Sequence, residues 1–155
     1  MNKKYTQKAL DNYRKILVAE LKRELNKKGS RLESSIVGRK IAKKDGFNIK
    51  MNSYGVNVND GRSAGKFPNI DNIKSWIERN NIRPKNIYSS KPPSLKQLAF
   101  LIGRSIASKG IKPHRFIDEV IEKFEPRMTM DIVDAYTRDL SEELDKNIPN
   151  ASSKN

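Results

Sequence analysis

Ser94-Leu95-Lys96-Gln97-Leu98-Ala99-Phe100-Leu101-Ile102-Gly103-Arg104-Ser105-Ile106 is the stretch on which the fold turns. Read one way, Leu98-Ala99 precede a turn at Gly103 and Ser105 caps a recognition helix, the pattern of a helix-turn-helix DNA reader. Arg104, Ser108, Lys109 and Lys112 would then approach DNA. Read the other way, Leu95, Leu98, Ala99, Ile102 and Ile106 keep the i, i+3, i+4, i+7 spacing straight through Gly103. Ser94 and Gln97 have the Ser-x-x-Gln spacing of a capping box. A recognition helix would have only residues 106–109 before Gly110 and Pro113 stop it, too short to fill a major groove. The spacing predicts one continuous helix, closed by Gly110. Phe100 falls off its main stripe with Leu101 beside it, which makes Phe100 a candidate subunit contact.

Outward from this helix, Arg83 to Pro93 reads as a linker, since Pro84, Pro92 and Pro93 resist helix. A helix over about residues 69–80 precedes it, with Ile70, Ile73 and Ile77 buried and Trp76 beside them in the core. Residues 59–68 read as a loop. Phe47, Ile49 and Met51 alternate with Asn48 and Lys50, the period of a half-buried strand, and Asp45-Gly46 is a turn pair. Its partner strand falls within residues 36–43, and Val56 and Val58 suggest a third extended piece. At the start, Leu10, Tyr13, Leu17, Leu21 and Leu25 predict a helix from about residue 5 to 28, ended by Gly29. Beyond Pro113, which is expected to start a short helix, Ile117, Val120, Ile121 and Phe124 lie before an interruption at Pro126. A final helix is expected over 129–146, with Ile132, Tyr136, Leu140 and Leu144 in one row. Residues 149–155 read as a disordered tail. The expectation is a single α+β domain over 1–148: a small antiparallel sheet or hairpin packed by helices, with a long N-terminal helix and a C-terminal helical arm.

Charge is unevenly placed along the 155 residues, whose net value is +14. Residues 1–50 hold 15 Lys/Arg against 5 Asp/Glu, and residues 51–115 hold 12 against 3. Residues 116–155 reverse this, with 5 against 10. The basic part suits nucleic-acid phosphates; equally, the acidic end of one subunit suits the basic face of the next. Lys8, Lys15 and Lys22 recur every seven residues, nearly opposite the apolar stripe. With Arg23 and Lys27 they are the candidate DNA-facing or partner-facing cations. Hydrophobic content of 35% is lean for a lone domain, as in proteins that share a core with neighbouring subunits.

Enzymatic chemistry finds little to use. There is no cysteine and one histidine, His114. The loop Gly61-Arg-Ser-Ala-Gly65-Lys66-Phe67 has three residues between its glycines where a P-loop needs four, and Phe67 stands where a magnesium-binding hydroxyl belongs. Asp118, Glu119, Glu122, Asp131, Asp134 and Asp139 read as solvated helix faces. No catalytic residue, metal site or cofactor is expected. No apolar run approaches a membrane span, and no apolar core follows the basic N-terminus as a secretory signal requires.

One order of features goes further: Tyr54-Gly-Val-Asn-Val-Asn-Asp-Gly-Arg62, then Ser63-Ala-Gly-Lys-Phe-Pro68, the helix with Ile70, Ile73, Trp76 and Ile77, the Leu95–Ile106 helix, Lys109-Gly-Ile-Lys-Pro113, and Phe116. This order resembles the neck, tail-completion and head–tail joining proteins of tailed bacteriophages. The resemblance covers roughly the central and C-terminal two-thirds. It implies a structural virion protein, not an enzyme, assembled in the host cytoplasm. It implies a homo-oligomeric ring between portal and tail, with the portal and adjacent neck or tail rings as partners and double-stranded DNA passing through the lumen. It also places residues 54–62 and the loop 65–68 at or near the sheet and its subunit contacts and matches the Phe116 region to the end of the family pattern, so that Arg62, Lys66, Phe67 and Phe116 join Phe100 as candidate subunit contacts. Two features depart from the family pattern: the long linker and the acidic helix after Phe124. That helix is either a docking arm for an adjacent ring or packs on the basic body. The alternative is a basic DNA-binding module, a regulator or packaging factor.

Overall fold

Helix α1 (Lys4–Leu25) opens a computed structural model that describes residues 3–26, 29–42, 44–84 and 92–148. Then come α2 (Arg31–Ser35), β1 (Val37–Lys40), β2 (Phe47–Lys50), α3 (Tyr54–Asp60), α4 (Ile70–Arg79), α5 (Leu95–Lys109) and α6 (Phe116–Asn147). The fold is α+β. It comprises two compact units: Met1–Asn59 with His114–Asn155, and Asp60–Pro113 between them in sequence.

In the first unit α1 buries Tyr13, Leu21 and Leu25, with Leu10 and Leu17 half-buried, as the spacing predicts. It ends earlier than expected, because Asn26 takes the left-handed conformation (φ 49°) and closes the helix before Gly29. The sequence reading had no α2. Ser30 caps it by accepting from the Glu33 amide at 3.1 Å. β1 and β2 form the antiparallel hairpin, with Val37 opposite Lys50 and Lys40 opposite Phe47. Phe47 and Ile49 are half-buried while Asn48 and Lys50 are exposed, the predicted alternation. Gly38 has no side chain because a Cβ there would lie 2.8 Å from Arg14 Cγ and 3.0 Å from Val18 Cγ2, so β1 lies hard against α1.

Two expectations fail in this unit. Residues 54–60 form α3, not a third extended piece. Two alternating valines are a weak signal against the packing of Gly55, where an added Cβ would sit 2.7 Å from Met51 Sδ. Nor does Pro126 break the C-terminal helix, which starts at Phe116 and not at Pro113; α6 runs unbroken for 32 residues. A proline inside a helix removes one backbone bond and costs about 3 kcal/mol. Pro126 is exposed, whereas the residues of α6 that bind α1 lie on another face. The contacts along α1 outweigh the penalty.

Those contacts form an antiparallel ladder. The Tyr13 hydroxyl donates to Asp131 Oδ2, and Tyr5 Oη donates to Glu142 Oε1 at 2.7 Å. Asp139, 1% exposed, accepts from the Tyr5 amide at 2.9 Å and the Thr6 amide at 2.8 Å. The N-cap residue Lys3 makes no side-chain cap bond, so a carboxylate from α6 caps α1 instead. At the other end of α6, Asn59 does the same service: its Oδ1 accepts from the Ile117 amide at 2.8 Å, and its Nδ2 donates to Asp118 at 3.1 Å. Leu21, Leu25, Leu32, Ile36, Phe116 and Val120 form the core.

In the second unit α4 and α5 pack through Ile73, Ile77 and Ala99, with Ile70, Leu95, Leu98, Ile102 and Ile106 around them. α5 is continuous through Gly103, and Ser94 and Gln97 complete the capping box in both directions. Gly103 is therefore not a turn. A Cβ there would stand 2.8 Å from the Phe67 ring, so the glycine seats that aromatic. Trp76 is a correction: it is 44% exposed and lies outside the isoleucine core. Residues 85–91 of the expected linker, and the tail expected over 149–155, lie outside the described residues.

The ionisable groups of the first unit predict its response to pH. Hydrogen bonding to Arg14 holds Asp11 at about 2 against burial, with Lys40 and Lys15 helping. Burial alone would raise Asp139, but hydrogen bonds from Thr6 and Tyr5, with Lys3 nearby, leave it below its ordinary value. Depressed carboxyls contribute stability above the unfolded value of 3.8, lost as pH falls through the folded value. Tyr5 is raised by its bond to Glu142, and Tyr13 by its bond to Asp131 and by burial. Raised phenols contribute stability below the ordinary value of 10.0, lost as pH climbs through the folded value. Melting temperature followed against pH should be flat in between, fall from about pH 4 toward pH 2, and fall again above pH 10. A melting temperature that rises from pH 4 to pH 2 would contradict this ladder.

Candidate assembly surfaces

α6 has two apolar faces. One, with Phe116, Val120, Ala135 and Asp139, is buried. The other lies opposite at helical spacing: Met130 (68% exposed), Val133 (57%), Leu140 (41%) and Leu144 (51%). Their separations of three, seven and four residues keep them on one stripe, with Thr137 between. A helix apolar on two sides must bury both to be fully stabilised. Of residues 129–148, expected either to dock on an adjacent ring or to pack on the basic body, the inner face packs on α1 while the outer face is exposed. Tyr136, Leu140 and Leu144 of the predicted row are exposed, and Ile132 is half-buried.

The second unit carries its own exposed apolar group. Phe67 and Phe100 are paired with ring centroids 5.6 Å apart, at 40% and 53% exposure, and Leu101 is equally open at 53%. The loop that bears Phe67 is tied down by backbone bonds. Arg62 and Ile111 exchange bonds of 2.9 and 2.8 Å, and the Gly65 amide donates to the Ala107 carbonyl at 2.8 Å. The Arg62 guanidinium donates to the Lys66 carbonyl at 2.5 Å. Arg62 therefore braces the loop from within, and Lys66 lies exposed at its bend.

Phe116 is corrected as a surface contact. It is 0% exposed, the largest fully buried side chain, and lies in the first unit's core. His114 is exposed beside it, its ring 6.0 Å away edge-on, and its amide donates to Val58 at 3.0 Å. The histidine thus marks a chain crossing.

The basic ridge of α1 is partly occupied. Lys15 pairs with Asp11 at 3.4 Å, and Arg23 pairs with Glu20 at 2.6 Å and Glu24 at 2.9 Å. Lys8 is exposed in an open groove with Asp131, Asp134 and Arg138, and Lys22 is half-buried. Lys27 lies outside the described residues. Among the described residues no group of three or more His, Cys, Asp or Glu is placed to hold a metal. No described helix is long and apolar enough to cross a membrane.

The sequence reading placed Leu140 and Leu144 in a row with Ile132 and Tyr136 and passed over Met130 and Val133, although all six lie in the helix expected over 129–146 and their spacing was there to be read. It also missed both cross-element caps, Asn59 and Asp139, which depend on distant chain meeting a helix end.

Compared with known proteins, the chain matches no family model, no curated protein and no solved structure.

Proposed function

We propose that this chain is a structural subunit of a tailed-phage neck or tail, acting by assembly into a ring through which the genome passes, and not by catalysis. The observation that carries the reading is the outer face of α6: four large apolar side chains exposed along one stripe of a helix whose opposite face is already packed. The motif order from Tyr54 to Phe116, which resembles that of neck and tail-completion proteins, supports a neck or tail ring as the kind of assembly. A lean core also suits a chain that completes its burial between subunits. Portal and neighbouring ring proteins are its expected partners in the virion.

Sedimentation across a concentration series, with and without short duplex DNA at low salt, tests this. The expected result is a large discrete species that associates weakly with DNA. A monomer at every concentration that binds duplex tightly would replace the reading with that of a basic DNA-binding module.

One observation favours some DNA contact within the ring reading. Arg62, Lys66, Lys109 and Lys112 gather where the braced loop meets the end of α5, and all are exposed. Each phosphate contact contributes about −0.9 to the slope of log affinity against log salt. Lys66→Ala with Lys112→Ala should flatten that slope by about 2, measured by fluorescence anisotropy on any duplex sequence. An unchanged slope would place the DNA contact elsewhere.

A further inference from the structure

The outer stripe of α6 lies in acidic surroundings. Residues 129–148 hold 2 Lys/Arg against 6 Asp/Glu, and Asp134 and Asp145 flank the stripe on its Met130 side, with Arg138 the one cation beside them. Two copies of this face would set like charges against each other, which disfavours a symmetric pair. The exposed apolar surface of α5 has the opposite character. Residues 60–113 hold 11 Lys/Arg against 3 Asp/Glu. Lys96, Phe100 and Arg104 stand at i, i+4 and i+8, an aromatic between two cations on one row, all exposed. Phe67 and Leu101 widen the apolar part of that row.

We propose that the outer face of α6 seats on the Lys96-Phe100-Arg104 row of α5 in a second copy of this chain, with Asp134 and Asp145 facing the two cations. The contact joins two different surfaces, so it is heterologous: every subunit offers one of each, and repetition closes a ring or runs on as a filament. This rests on the assembly reading above and adds to it which surfaces meet and in which sense.

Charge reversal tests it. Asp134→Lys with Asp145→Lys should weaken self-association roughly tenfold or more, as like charges across an interface do. Lys96→Glu with Arg104→Glu should do the same alone. Mixing the two variants should restore association between them, an outcome that a misfolded variant cannot give. The chain lacks cysteine, so a second measurement is clean: Ser141→Cys and Leu101→Cys, on separate copies, should cross-link to each other when mixed. Cross-links between two Ser141→Cys copies would mean that like faces pair and would overturn the proposal. So would wild-type assembly with neither rescue nor cross-link, since the stripe then serves another partner and only the assembly reading stands. A wild-type chain that never assembles overturns both.

Discussion

Phe116→Ala is expected to destabilise the first unit by about 3–5 kcal/mol, the largest effect of any apolar truncation in that core. The ring is fully enclosed by Leu21, Leu25, Leu32, Ile36 and Val120. It sits at the first turn of α6, where Asn59 fixes the helix start through the Ile117 amide. Truncation therefore leaves a cavity at a point the backbone cannot close by shifting. Urea unfolding followed by far-ultraviolet circular dichroism measures the loss. Phe100→Ala is the control: at 53% exposure it should leave the midpoint nearly unmoved while weakening association. A Phe116→Ala chain as stable as wild type would mean the ring is not in the core.

Gly110→Ala should disrupt the second unit nearly as strongly, by roughly 3 kcal/mol or more. Gly110 holds φ 72° and ψ −163°, a region that in practice only glycine occupies. An added Cβ would lie 2.2 Å from the Arg62 carbonyl oxygen, which is backbone and cannot swing aside. The bridge between Arg62 and Ile111 would have to open, losing two backbone bonds and freeing the loop that carries Phe67. Gly29→Ala separates strain from collision. Gly29 has φ 74° with nothing near its would-be Cβ, so its replacement should cost only about 1 kcal/mol. Trp76 is the sole tryptophan and lies in the second unit, so its fluorescence reports this change locally. Equal effects at the two glycines would mean that the Arg62–Ile111 bridge contributes little.

The elements built from local signals were legible. The Ser94–Gln97 capping box, the period of α5 and the alternation of Phe47 and Ile49 each depend on neighbours a few residues away, and each stands in the structure as read. Ser30-x-x-Glu33 carries the same kind of capping signal, and α2 could have been found from it. What stayed hidden depends on distant chain. α3 packs with Gly55 against Leu32, whose Cδ1 would lie 3.1 Å from an added Cβ, and Asp139 is buried where it caps α1, which has no side-chain cap of its own. Pro126 misled because local propensity argues for a break, while the ladder from Tyr5 to Asp131 holds α6 in one piece. Trp76 and Phe116 exchanged roles for a related reason. Aromatic size says that a residue will be buried somewhere, in the core or against a partner, and only packing says which.

Of the proposed site, Phe100 could be singled out from sequence because it sits off the stripe of α5, and Phe67 only through the order of motifs around its loop. The Met130–Leu144 face has a legible helical spacing too, but spacing alone does not say which of two apolar rows on one helix is buried; the packing on α1 decides that.

Native mass spectrometry of the purified chain beside the Val133→Glu, Leu140→Glu variant tests the central claim most directly. The account predicts one closed stoichiometry above two for the wild type and monomer for the variant, with both retaining the helical content of α1 and α6. A wild type that is monomeric at every concentration, or a variant that assembles as the wild type does, would contradict it.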